Sequence, residues 1–313
     1  MLRKLFGKSA APSPALKAEA LNPALVKTIF AVVGAHGVSP MPAAAQQAFQ
    51  ISTNPQADSR DFVALLESDE GLAARVLKIA NSVFFDRGTS SRSLEQAVQV
   101  IGTEELRSLL SASSLGAIFP SRHPLRSALW EHDLACASIA RFLAPKIAAE
   151  KKDSAYLAGL MHDVGKLLLL QRAPEQFLQA VATLEEQHLS SCEAELTVFP
   201  FTHAEIGQLV AERWNFSNDL RLAIRYHHLA WDDPLLAGPD AALVRIVKFA
   251  DLVAHALGFG HSAGQAFLAR QAKDDLERAR SLCALDAQSS EELLQQCAQC
   301  YAHDLELSSS FGG

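Results

Sequence analysis

The stretch Leu157-Ala-Gly-Leu-Met-His-Asp-Val-Gly-Lys-Leu-Leu-Leu-Leu170 constrains this chain more than any other. It reads as one helix, apolar on nearly every side, as expected of a segment at the centre of a helical protein. Inside it stand His162 and Asp163, followed by Gly165 and Lys166. Burying that carboxylate and imidazole without partners would cost roughly several kcal/mol. A metal ion is the simplest compensation, so the rest of the chain should supply further ligands.

Bulk properties narrow the classes. With 313 residues, 49% of them hydrophobic, the chain can bury one large core or two medium ones. A net charge of -7 argues against a dedicated nucleic-acid binder. No apolar run approaches the roughly 20 residues that span a bilayer. Met1–Lys8 is basic but lacks an apolar segment behind it, so it is expected to be a tail, not a secretory signal, leading into a linker at Ala10–Pro14. A membrane-surface contact through Leu2, Leu5 and Phe6 is the alternative. The 5 cysteines are odd in number and lie in helix-like sequence, which fits a reducing cytoplasm better than a disulfide framework. Cys297 and Cys300 form a lone C-x-x-C, expected to pack as two small residues on one helix face.

The periodicity predicts an all-α fold, since alternating, strand-like sequence is nearly absent. Short helices are expected over Pro23–Val33 and Pro42–Phe49, around a turn at Gly37–Pro40. Asp58-x-x-Asp61 can open the next helix. Leu72, Val76, Ile79 and Ala80 mark another, ending at Asn81–Phe85 before a loop at Asp86–Ser93. Helices at about Leu94–Ile101 and Glu104–Ile118 join across Gly102, and Pro120–Pro124 makes a break. The long helix from Leu125 carries the stripe Leu125, Leu129, His132, Cys136, Ile139, which puts His132 on its buried face. A polar helix is expected at Pro174–His188. Thr202-x-x-Glu205 is a capping box, making His203 the first helical residue, where the helix dipole favours the neutral imidazole. Ser217 caps a helix whose inner face is Leu220, Ile224, His227, His228. Leu243, Val247, Ala250 and Ala254 define a face that includes Asp251. Ser289-x-x-Glu292 opens a last helix to about Tyr301. The expected organisation is a flexible tail (1–23), an N-terminal helical part (24–120), a second helical bundle (121–260) and C-terminal helices (261–313), the helical parts being subdomains of one body.

Collected, His132, His162, Asp163, His203, His227, His228 and Asp251 are polar residues on expected buried faces of successive helices. Each alone has a bland explanation as a hydrogen-bonded core residue, but all seven together do not share one easily. Imidazole and carboxylate suit Zn²⁺, Mn²⁺, Fe²⁺ or Ni²⁺. Neighbouring helix residues diverge by about 100°, so His162 and Asp163 cannot share one face. The ion must lie over a seam between helices, with Asp163 placed to bridge two ions. Lys166 could meet a substrate phosphate as a point charge, or simply pack its stem while its amine reaches water.

Leu160-Met-His-Asp-Val-Gly-Lys-Leu167 resembles the central motif of the HD superfamily of metal-dependent phosphohydrolases. Val76-Leu-Lys-Ile-Ala-Asn-Ser-Val-Phe-Phe85 and Ser93-Leu-Glu-Gln-Ala-Val-Gln-Val-Ile-Gly102 are similar to segments of the HDOD family, the HD-related output domain of bacterial signalling proteins. So are Trp130 ahead of His132, His203-Ala-Glu-Ile-Gly207 before Trp214, and the pair His227-His228. The likeness covers about residues 38–260. It implies an HD-like bundle at 121–260 and a regulatory or output role, in a family where metal ligands are often eroded. Here, by position, all seven candidates match metal-binding positions of HD-GYP cyclic-di-GMP phosphodiesterases. Two departures stand against that activity. Leu229-Ala-Trp-Asp-Asp-Pro234 replaces the Gly-Tyr-Pro loop, and Ala128 stands where some relatives carry a glutamate, so one or two ions are expected, not three.

Two functions therefore remain open. The first is a cytoplasmic signal-transduction module that binds another signalling protein or a small phosphorylated ligand. The alternative is a metal-dependent phosphohydrolase or phosphodiesterase acting on a nucleotide or cyclic dinucleotide, with Asp163 and Lys166 as catalytic residues. A nucleic-acid-binding regulator is disfavoured by scattered Arg and Lys. No receiver, kinase or GGDEF-like segment is recognisable, so input is expected through a separate protein or a ligand.

Overall fold

The computed structural model describes residues 19–34, 37–38, 40–41, 43–54, 56–82, 85, 91–285 and 289–309. Most of the expected tail, its linker and most of the 86–93 loop lie outside them. Among the described residues the regular structure is entirely helical, as the periodicity requires. The N-terminal helices are α1 (Pro23–Val33), α2 (Ala43–Thr53), α3 (Ser59–Glu67), α4 (Glu70–Ala80), α5 (Leu94–Ile101) and α6 (Thr103–Ile118). Then come α7 (Leu125–Ile147), α8 (Lys152–Met161), α9 (Val164–Arg172), α10 (Pro174–Gln187) and α11 (Ser191–Leu196). The chain continues through α12 (His203–Arg213), α13 (Asn218–Tyr226), α14 (Ala242–Leu257), α15 (Ala266–Leu282) and α16 (Ser290–Ser309). Among the described residues no helix is long and apolar enough to cross a membrane.

The helix starts follow from local chemistry. Asp58 caps α3 in a reciprocal box with Asp61, and Thr202 does the same for α12 with Glu205. The Ser217 side chain accepts from the Leu220 amide at the start of α13. The Glu292 amide donates to Ser289 Oγ at 3.2 Å, although the helix it opens runs past Tyr301 to Ser309.

Two main apolar clusters result, beside a small one at Leu222, Leu236, Ala241 and Val244. Phe62, Leu66, Val76, Ile79, Leu106 and Leu110 centre one built from α2 to α6. Ile139, Leu143, Leu160 and Phe249 belong to the larger one around α7, α8, α9 and α14, which also takes Ile29 and Val33 of α1. Arg141 of α7 ties the bundle's flanks together, donating to Glu105 (3.2 Å) and Ser108 (2.9 Å) of α6 and to Asp304 (2.7 Å) of α16. Cys297 is buried and Cys300 half-buried with its Sγ 3.6 Å from the Ser138 carbonyl, in line with a packing role.

The stretch 157–170 is not one helix: it breaks at His162 and Asp163, between α8 and α9. Asp163 leaves helical geometry (φ -102°, ψ 15°), and its carbonyl accepts from Lys166 N at 2.8 Å. The break reorients α9 so that Gly165 lies directly on the His203 backbone, where any Cβ would sit 2.8 Å from the His203 carbonyl carbon. Apolarity on all sides correctly signals burial, but it is equally satisfied by two short buried helices.

Candidate metal centre

The break at His162–Asp163 lies where α7, the start of α12, the end of α13 and α14 converge. Helix α7 supplies His132, the first residue of α12 is His203, the turn after α13 carries His227 and His228, and α14 supplies Asp251. All are buried except His228, which sits at the rim with its ring nitrogen turned inward.

Two groups of ligand atoms form. In one, Asp163 Oδ1 is 3.1 Å from His203 Nε2 and 3.6 Å from His227 Nε2. His203 Nε2 is also 3.4 Å from His227 Nε2 and 2.9 Å from His228 Nε2. In the other, Asp251 Oδ1 is 3.0 Å from His132 Nε2 and 3.7 Å from His162 Nε2, which lies 3.5 Å from Asp163 Oδ2. Asp163 thus turns one oxygen to each group. Adjacent ligand atoms around an ion with bonds of about 2.0–2.1 Å stand roughly 3.0–3.4 Å apart, so this spacing suits a divalent ion.

Hydrogen bonding at the far side of each ring decides what the near side offers. His132 Nδ1 faces the Phe259 carbonyl (3.2 Å), His162 Nδ1 that of Gly159 (2.6 Å) and His227 Nδ1 that of Ile224 (2.9 Å). His203 Nδ1 faces the Glu195 carboxylate at 2.8 Å. Carbonyl and carboxylate oxygens only accept, so each Nδ1 carries the proton. In the neutral rings each Nε2 therefore turns a lone pair inward, towards carboxylate oxygens that also have only lone pairs. His162 Nε2 and Asp163 Oδ1 are buried with no hydrogen-bond partner. A cation resolves this frustration, and orienting bonds of this kind are typical of metal-binding histidines.

Protons can answer the same frustration. Burial disfavours charge on His162, but the Asp163 carboxylate outweighs it and holds the ring well above its ordinary 6.5. At His203 burial is likewise overcome, by Glu195 and Asp163, so the value is raised. The expectation that the helix dipole keeps His203 neutral is corrected here: a full carboxylate at 2.8 Å outweighs a partial helix-end charge. At His227 burial outweighs the pull of Asp163 and pushes the ring down to about 4. Asp163 resists burial and stays ionised because His162, Lys166 and His203 surround it.

Lys166 is buried, and its amine donates to Asp163 Oδ2 at 2.6 Å. It still lines a pocket of about 580 Å³, open mouth included, with Asp163 and His132 on the polar side and Leu129, Phe177 and Leu184 on the apolar side.

The structure adds residues that sequence reasoning missed. Glu195 of α11 accepts from both the backbone and the ring of His203. His255, one turn beyond Asp251, brings Nε2 to 3.3 Å from Asp251 Oδ1, and His261 pairs with it. The Asp251-x-x-x-His255 spacing was a readable signal, placing both on one face. Nothing in the sequence marks Glu195 as buried.

With this geometry in hand, comparison with known proteins is informative. A profile of the HDOD domain matches residues 38–230. An HDOD domain protein of unknown function from Geobacter sulfurreducens shares the fold, with a TM-score of 0.69 over 91% of this chain and 97% of its own, at 24% identity. A provisionally assigned signal transduction protein from Marinobacter aquaeolei VT8 is 26% identical, with a TM-score of 0.66 over 88% of this chain and 60% of its own. An uncharacterised protein of Treponema pallidum (strain Nichols) is 28% identical over 177 residues, 56% of this chain. The match spans only 34% of that relative's length.

Proposed function

This chain belongs to the HDOD domain family, and we propose that it is a bacterial signal-transduction module of that type, built around a retained divalent-metal centre. The observation that carries the reading is the ring of inward Nε2 lone pairs facing the carboxylates of Asp163 and Asp251. One or two ions of the Fe, Mn, Zn or Ni kind would be held by His132, His162, Asp163, His203, His227, His228 and Asp251. The module would act in the cytoplasm by binding another signalling protein or a small phosphorylated ligand. In this reading residues 24–120 form its N-terminal part, 121–260 the metal-holding bundle and 261–313 a closing flank.

Elemental analysis of the purified chain, before and after chelation and reconstitution, tests this. One or two equivalents are expected, with loss in His162→Ala and Asp163→Ala. A wild-type chain that neither carries nor takes up metal overturns it.

A second reading is favoured by the pocket that opens beside Asp163 and Lys166. It is a metal-dependent phosphohydrolase or phosphodiesterase acting on a nucleotide or cyclic dinucleotide. A bound ion there would polarise a phosphoryl oxygen and acidify water. Asp163 holds one oxygen toward each ligand group, while Lys166 offsets part of its charge. Hydrolysis of nucleotides, cyclic dinucleotides and a generic phosphodiester with Mn²⁺ or Fe²⁺ should then exceed that of the two alanine variants. Equal rates would remove this reading and leave the binding module.

A further inference from the structure

We propose that His255 is a further metal ligand, completing with His132 and Asp251 the ion position on the α7–α14 side, and that His261 is its positioning residue. This rests on the metal-centre reading above and extends it beyond the residues named there.

Three imidazole Nε2 atoms surround Asp251 Oδ1: His132 at 3.0 Å, His255 at 3.3 Å and His162 at 3.7 Å. Those of His132 and His162 cannot donate to it as neutral rings, because their Nδ1 protons are committed to backbone carbonyls. His255 has a nitrogen partner where those rings have carbonyls: its Nδ1 lies 2.7 Å from His261 Nε2, and in the tautomer with the shared proton on His255 its Nε2 lone pair faces Asp251. Ligand atoms of His132, Asp251 and His255 all lie within 4.8 Å of one another. The rings of His132 and His255 are 4.5 Å apart between centroids, tilted by 33°.

The chain is built to hold this arrangement. Helix α14 ends at Gly258 (φ 77°), and Gly260 (φ 73°) turns the following loop back onto α7. A Cβ at Gly260 would collide with the Ala128 carbonyl oxygen and stand 2.8 Å from His132 Cβ. That contact sets His261 against the same turn of α7 that carries His132. Two imidazoles and a carboxylate favour a borderline ion such as Zn²⁺, Co²⁺ or Fe²⁺ over Mg²⁺, which prefers oxygen ligands. His255 and His261 both line the pocket, so an ion held there would face whatever the pocket admits.

The test is ion binding alone. The full chain is stripped by chelation and titrated with Co²⁺, followed by visible absorption, and with Zn²⁺, followed by elemental analysis. The wild type should take two equivalents. His255→Ala should lose one, or bind it at least tenfold more weakly, while keeping the ion that His203→Ala removes. His261→Ala should retain both, with one weakened about tenfold or more, as loss of an orienting partner does. Two ions at wild-type affinity in His255→Ala overturn the proposal and leave the metal-centre reading intact. So does a single wild-type ion that survives in His255→Ala. If that variant does not fold, unchanged affinities in His261→Ala overturn the proposal instead. A wild type that takes up no ion overturns both.

Discussion

Replacing Gly165 by alanine should loosen the metal centre through a helix contact, without touching a ligand. Two effects compete. Alanine gains up to about 1 kcal/mol of helix propensity over glycine. Against it, the new Cβ would lie 2.8 Å from the His203 carbonyl carbon and 2.9 Å from its Cα. Both are backbone atoms at the start of α12, so no side-chain rotation relieves the overlap and α9 must move away from α12. Overpacking of this kind costs roughly 1–3 kcal/mol, and the upper end applies where backbone meets backbone. The net is a destabilisation of about 2 kcal/mol, or about 3 °C in Tm for a chain of this size. Because His203 is the residue displaced, the ion it shares with Asp163, His227 and His228 should bind more weakly. Gly116→Ala is the control, since in α6 its Cβ would meet nothing closer than Trp130 at 3.5 Å. That variant should be unchanged or more stable by up to about 1 kcal/mol. Thermal unfolding and Zn²⁺ titration of both variants decide the matter. A Gly165→Ala protein as stable as Gly116→Ala, with wild-type metal affinity, would mean that the α9–α12 backbone contact does not hold His203 in place.

Other outcomes follow from the same geometry. Glu195→Gln should weaken metal binding about 10–100-fold by removing the carboxylate that orients His203, read by competition with a chelating dye. In the metal-free protein, the raised values of His162 and His203 stabilise the fold fully below pH 6.5, and this is lost as pH climbs through their folded values. His227, lowered to about 4, works oppositely, its contribution being lost as pH falls from 6.5 towards 4. Ion uptake must displace the protons on His162 and His203, so apparent affinity should rise with pH, about tenfold per unit for each proton released. Calorimetry in buffers of different ionisation enthalpy would count those protons, and a pH-independent affinity would contradict the assignment. Arg107→Ala should destabilise the N-terminal cluster by about 2–4 kcal/mol, because the guanidinium donates to the carbonyls of Ile51, Asn54 and Ala57 at 2.8–2.9 Å. Denaturant unfolding would measure it.

The all-helical fold, the start of most helices, and the histidines and aspartates set on apolar faces are legible in the amino-acid sequence alone. Those are local properties: a cap is read within three or four residues, and a buried face from the 3.6-residue period. His132, His203 and Asp251 were legible for that reason. Helix packing breaks the central apolar stretch at His162–Asp163, pairs Lys166 with Asp163, and sets Glu195 from a short polar helix against His203, raising the pKa of that ring. It also brings His255 beside Asp251 and His261 beside His255. The physical reason is that periodicity reports which way a side chain points from its own helix, whereas a ligand set depends on how helices cross. Here the crossings are set by backbone contacts such as Gly165 on His203 and Gly260 on α7, which no single helix encodes.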